Sequence, residues 1–110
     1  MMPGEPPREQ QLAAMMASAQ AHYVERLPTK LAEIEAMAAS GDWEALGTAA
    51  HKLHGSAGVY GFALVSDAAG QLEEILLTNG ETLDAAASAD VRAALRALRA
   101  TIEETRAQEP

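Results

Sequence analysis

The 110-residue sequence has no cysteine, which removes disulfides, thiolate nucleophiles and cysteine-based zinc sites and suits a reducing compartment. Aromatic residues are scarce, with one Trp, one Phe and two Tyr. Sustained alternation of apolar and polar residues is also missing, so a strand-rich fold has little to build on. Basic residues are few. Eight Lys and Arg face sixteen Asp and Glu, a formal charge of −8, and that balance disfavours nucleic acid and anionic membrane as partners. No apolar run approaches the ~20 residues needed to cross a bilayer. The opening MMPGEPPREQ has neither the basic nor the apolar region of a secretory signal. These absences predict one acidic, soluble, cytoplasmic domain, large enough for a modest core.

What the sequence does have is Ala, Leu and Glu at helical spacing. Three prolines and a glycine in residues 1–8 predict a disordered lead, followed by a bundle over residues 9–107. Leu12, Met16, Ala19 and Tyr23 share one stripe, which continues through Leu27, Leu31, Ile34 and Ala38. Pro28 interrupts it and predicts a kink, or a break near Glu25 to Leu27. Ser40-Gly41 ends this helix and Asp42 caps the next, with Glu44 in its first turn. The second helix runs to about Tyr60, where Gly61 stops it. A third, about Ala63 to Thr78, buries Val65, Ala68, Leu72 and Ile75 or Leu76, and Asn79-Gly80 closes it. Glu81 to Ala87 reads as loop or a short turn. Ser88 or Asp90 caps the last helix, whose stripe is Val91, Leu95, Leu98, Ile102 and Thr105. The expected fold is all-α, an antiparallel four-helix bundle. An extra N-terminal helical segment, Glu9 to Ala21, should cover one end.

The second helix carries two faces. Leu46, Ala50, Leu53, Ala57 and Tyr60 recur at steps of four and three, the stripe of a packed helix. His51, His54, Gly55 and Gly58 occupy the opposite stripe. Each Gly in a helix interior costs about 1 kcal/mol relative to Ala, so two of them beside two imidazoles make an unusual solvated face. Spacing alone leaves a reactive His and a plain solvated one equally open. Trp43 and Tyr60, at the two ends of this helix, read as core anchors. His22 reads as surface, and Met15-Met16 as gap-filling apolar residues.

The string His51-Lys52-Leu53-His54-Gly55-Ser56-Ala57-Gly58, followed by Gly61-Phe62, resembles the phosphorylation motif of histidine-containing phosphotransfer domains. The resemblance covers roughly Tyr23 to Glu104, including Leu27-Pro28 and Gly41-Asp42-Trp43-Glu44-Ala45-Leu46. It implies that His51 is the phosphorylated residue, attacking through Nε2. It further implies that Glu73, twenty-two positions on, accepts a hydrogen bond from Nδ1–H and fixes the tautomer. Gly55, Gly58 and Lys52 would serve docking of a receiver domain. The family usually carries Lys three residues after the phosphorylated His, where this chain has His54. His54 is then a stand-in phosphoryl contact, a less favoured second phosphorylation site because the flanking register matches His51, or plain surface.

The expected function is a carrier of a phosphoryl group between the aspartates of receiver domains, in response regulators and hybrid sensor histidine kinases. It would work as a monomer without an ATP site, and hence as no enzyme in its own right. No cofactor is expected, since the receiver would bring its own Mg²⁺. One alternative is the phosphoacceptor domain of a chemotaxis-type histidine kinase, towards which Glu73 and Gly61-Phe62 lean while the ends of the chain lean away. Other readings are a bundle that binds metal through His51 and His54, which lacks a carboxylate one turn away, and a non-catalytic interaction bundle.

Overall fold

The computed structural model describes Gly4 and residues 6–79 and 84–109. It consists of α1 (Arg8–Ser40), α2 (Trp43–Val59), α3 (Ala63–Asn79) and α4 (Ala85–Gln108), with no strand among the described residues. The connections from α1 to α2 and from α2 to α3 are two and three residues long, which forces antiparallel neighbours. α2 packs on α3, α3 on α4, and α1 on both α2 and α4, so the four helices close into a bundle. Leu27, Ile34, Leu46, Val65, Leu72, Leu98 and Ile102 are all but fully buried along its axis. Each such aliphatic side chain contributes about 1.5–3 kcal/mol by leaving water.

The helix ends follow the sequence where glycine and aspartate dictate them. Gly41 adopts φ 73° and its N–H bonds the Ala38 carbonyl, while the Asp42 N–H bonds Met37 O. The Asp42 carboxylate then accepts from Ala45 N–H, capping α2. Gly61, at φ 85°, turns the chain into α3. Other expectations need correction. Of the two outcomes expected at Pro28, the break does not occur, since α1 is a single helix of 33 residues. Val24, Leu27 and Leu31 are buried on both sides of the proline, and that shared burial offsets its ~3 kcal/mol helix penalty.

Asp84, rather than Ser88 or Asp90, caps α4, its carboxylate accepting from Ala87 N–H at 2.7 Å. Ala85–Ala87 are therefore helix, whereas Gly80 and Glu81–Leu83 lie outside the described residues. Nor does the N-terminal segment cover the bundle. Residues 8–18 are exposed on every side, with Leu12, Met15 and Met16 each more than half exposed. They extend α1 beyond the turn at Gly61, and the first tie to the bundle is Gln20 Nε2, donating to Tyr60 O. Of the expected disordered lead, Gly4, Pro6 and Pro7 are non-helical and Arg8 opens α1; residues 1–3 and 5 lie outside the described residues.

Candidate functional site

The apolar stripe of α2 (Leu46, Ala50, Leu53, Ala57) faces inward, which turns His51, His54, Gly55 and Gly58 towards solvent and α3. Antiparallel packing then sets the register across the pair. Each step forward along α2 is matched by an equal step back along α3: His51 meets Glu73, His54 meets Gly70 and Ser66, and Gly58 meets Ser66. His51 sits in the middle of α2, its side chain 72% exposed. Its Nδ1 lies 2.6 Å from Glu73 Oε2. A carboxylate only accepts, so Nδ1 carries the hydrogen and the lone pair of Nε2 is left to solvent. Glu73 itself is 19% exposed, held between the helices where its orientation is fixed. Beside the pair runs a groove lined by Trp43, Gly47, Thr48, Leu76 and Leu77.

His54 is also anchored, by a different group. Its Nδ1 is 2.7 Å from the Ser66 carbonyl oxygen, which makes Nδ1 the donor. The Ser66 hydroxyl returns a bond to the His54 carbonyl at 2.8 Å. The ring lies over Gly70 so closely that a Cβ there would come within 2.9 Å of Nδ1. Gly55 has nothing within 4 Å of a notional Cβ, whereas Gly58 has the Ser66 hydroxyl at 3.4 Å. The absent side chain at Gly55 therefore has no explanation inside the chain. Lys52 is exposed but lines a separate groove between α1 and α2 with Lys30 and Glu33. It is thus on the flank away from Glu73. His22 is a loose surface residue, its Nδ1 3.8 Å from Glu25. Trp43 and Tyr60 are partly buried against the core.

Ser56 links this face to the core. Its hydroxyl lies 3.4 Å from Leu53 O and 2.7 Å from the Tyr23 hydroxyl, and in the latter pair either oxygen can donate. Tyr23 stacks on Tyr60 with centroids 4.6 Å apart and on Phe62 at 5.8 Å. Burial pushes the Tyr23 hydroxyl above its ordinary range, with the Ser56 bond opposing in part. Sequence reading misses Gly47, Ser66, Gly70 and Leu77. For Ser66 and Gly70 a signal existed in their four-residue spacing on α3, seven and three residues before Glu73. It becomes legible only once the register with α2 is known.

Fold and site together define a class: an all-α bundle that presents one carboxylate-held imidazole, in one tautomer, to an approaching partner. The chain belongs to the Hpt domain family, whose sequence model matches residues 18–108. It is thus a histidine phosphotransfer domain of the phosphorelay type, and its family works with receiver domains of two-component systems. No curated protein and no solved structure matches the chain. Among the described residues no helix is long and apolar enough to cross a membrane.

Proposed function

We propose that this domain is an intermediate of a phosphorelay, taking a phosphoryl group onto His51 from the aspartyl phosphate of one receiver domain and passing it to the aspartate of another. The observation that carries the reading is the exposed His51 ring with Nδ1 held 2.6 Å from Glu73. Nε2 attacks phosphorus in line, the P–N bond forms, and the acyl P–O bond breaks with its electron pair returning to the receiver carboxylate. The ring becomes an imidazolium as it is phosphorylated. Glu73 stabilises that charge through Nδ1–H. The receiver supplies Mg²⁺, and this chain acts as a cytoplasmic monomer without a nucleotide site. Gly55, with open space around it, clears the helix surface for the receiver, Gly58 extends that strip, and Lys52 attracts the receiver's acidic pocket from the α1 flank.

His54 contributes a phosphoryl contact in its charged form. Its Nδ1 is committed to Ser66 O, so only an Nε2–H, present in the imidazolium, donates to a phosphoryl oxygen. His54→Ala should therefore shift the transfer equilibrium towards the phosphorylated receiver, and His54→Lys, which supplies a donor cation at the same place, should restore it. Identical transfer equilibria for the three proteins would remove His54 from the contact.

The principal test is incubation with a phosphorylated receiver domain, scored for acid-labile, base-stable phosphate. His51→Gln should fold normally and lose the bulk of the label. Wild-type labelling rates in that variant would defeat the assignment. A second reading, phosphoacceptor of a chemotaxis-type kinase, draws support from a Glu rather than a Gln opposite His51. It requires direct labelling by a kinase's ATP-binding domain.

A further inference from the structure

The two rings on the α2 face are presented alike. His51 has Nδ1 tied to α3 through Glu73 at 2.6 Å, and His54 has Nδ1 tied to α3 through the Ser66 carbonyl at 2.7 Å. A carbonyl oxygen accepts and never donates, so the neutral His54 ring keeps its hydrogen on Nδ1 and its lone pair on Nε2. The residue is exposed, and the glycine that follows it leaves the approach unobstructed. Its seat is specific. Gly70 lies directly under the ring, and any side chain there would meet Nδ1 at 2.9 Å and Cε1 at 3.0 Å. The Ser66 hydroxyl bonds the His54 carbonyl as well, so α3 holds both the ring and the backbone of this residue. A merely solvated histidine has none of these supports. His22, 3.8 Å from Glu25 and with its side chain 74% exposed, is the example within the same chain.

We infer that His54 is a second phosphoryl acceptor, reacting at Nε2, with the Ser66 carbonyl and Gly70 as its positioning elements. The inference rests on the phosphotransfer reading above, which supplies the donor as a receiver's aspartyl phosphate. The step is the same substitution: Nε2 forms the P–N bond, the donor's bond to phosphorus breaks, and its electron pair leaves with the donor. The ring hydrogen stays on Nδ1, and the product imidazolium leans on the Ser66 carbonyl dipole. That dipole is neutral, whereas Glu73 carries a full charge. Charge-assisted bonds are roughly twice as strong as neutral ones, so His54 is the slower acceptor, by about tenfold for a difference near 1.4 kcal/mol.

The test uses phosphoramidate, a small donor that needs no docking and releases ammonia as the P–N bond to the ring forms. Nitrogen-resolved phosphorus NMR on the intact protein reads which ring and which nitrogen is labelled. In wild type, His51 should label fastest. In His51→Gln, His54 should label about tenfold more slowly than His51 did, several-fold faster than His22, and at Nε2 alone. In His51→Gln with Gly70→Ala, the displaced ring should fall to the rate and mixed nitrogen pattern of His22 while helical circular dichroism is retained. His54 reacting no faster than His22, or at both nitrogens, overturns the inference. An unchanged His54 in a folded Gly70→Ala protein overturns the part assigned to its seat. A wild-type His51 that reacts no faster than His22 overturns instead the phosphotransfer reading on which the inference rests.

Discussion

Glu73 and Ser66 hold two imidazoles by the same atom with different charge, and the difference sets what each substitution should do. Glu73→Ala removes a charge-assisted bond of about 1.5–3 kcal/mol, discounted because the His51 ring is 72% exposed and water screens it. Transfer from a phosphorylated receiver should slow about tenfold, roughly 1.4 kcal/mol of barrier, with the melting temperature unchanged. Rapid-quench kinetics on the two proteins measures this, and an equal rate constant would strip Glu73 of its orienting role. The shared exposed face of His51 and His54 was legible in the sequence because helical periodicity sets it, and the contact of His51 with Glu73 because the twenty-two-residue offset matches the family. The Ser66 and Gly70 contacts were not. They depend on how two helices slide against each other, and periodicity within one helix carries no information about that.

At the scale of the element, the sequence was most reliable where a backbone need has one cheap solution. Gly41 and Gly61 take positive φ and end helices as their spacing implied. The break allowed at Pro28 does not occur because helix propensity is local, whereas Val24, Leu27 and Leu31 bury their side chains in one continuous stripe. The α4 cap was missed because Asp84, Ser88 and Asp90 are all competent and only the approach of the chain selects among them. The first part of α1 misled differently: Leu12 and Met16 continue the apolar stripe, yet nothing in the bundle reaches them. A helical stretch of eleven residues without packing is marginal by itself. Deleting residues 1–17 should therefore leave the melting temperature and His51 labelling unchanged, and should lower only the helical ellipticity. Calorimetry on the shortened chain checks this; a drop of more than a few degrees would mean that the segment supports the bundle.

The whole molecule is closed by two clasps on α1. At one, Arg99 of α4 donates from Nη2 at 2.6 Å and Nε at 3.1 Å to the two oxygens of Glu35, and Nη1 reaches Glu103. This planar pair suits guanidinium better than ammonium, although its exposure to water keeps its contribution modest. At the other, Tyr23 is buried against Tyr60, Phe62 and Ser56. Burial raises its ionisation above the ordinary 10.0, so the neutral phenol is favoured by the fold. That part of the stability is fully present below the unfolded tyrosine's range, and is lost as pH climbs through the higher folded value. Thermal melts from about pH 9 to 12 should show a decline, and Tyr23→Phe should lessen it while costing about 1 kcal/mol at neutral pH for the lost hydroxyl bond. Parallel declines in both proteins would place the alkaline sensitivity elsewhere. The chain's one tryptophan, meanwhile, lines the same groove as His51 and Glu73. Its emission therefore originates wholly at the start of α2, in the groove that His51 and Glu73 share, so arrival of a dianion or of a partner's surface in that groove should be visible as a change in quenching, without any dye attached.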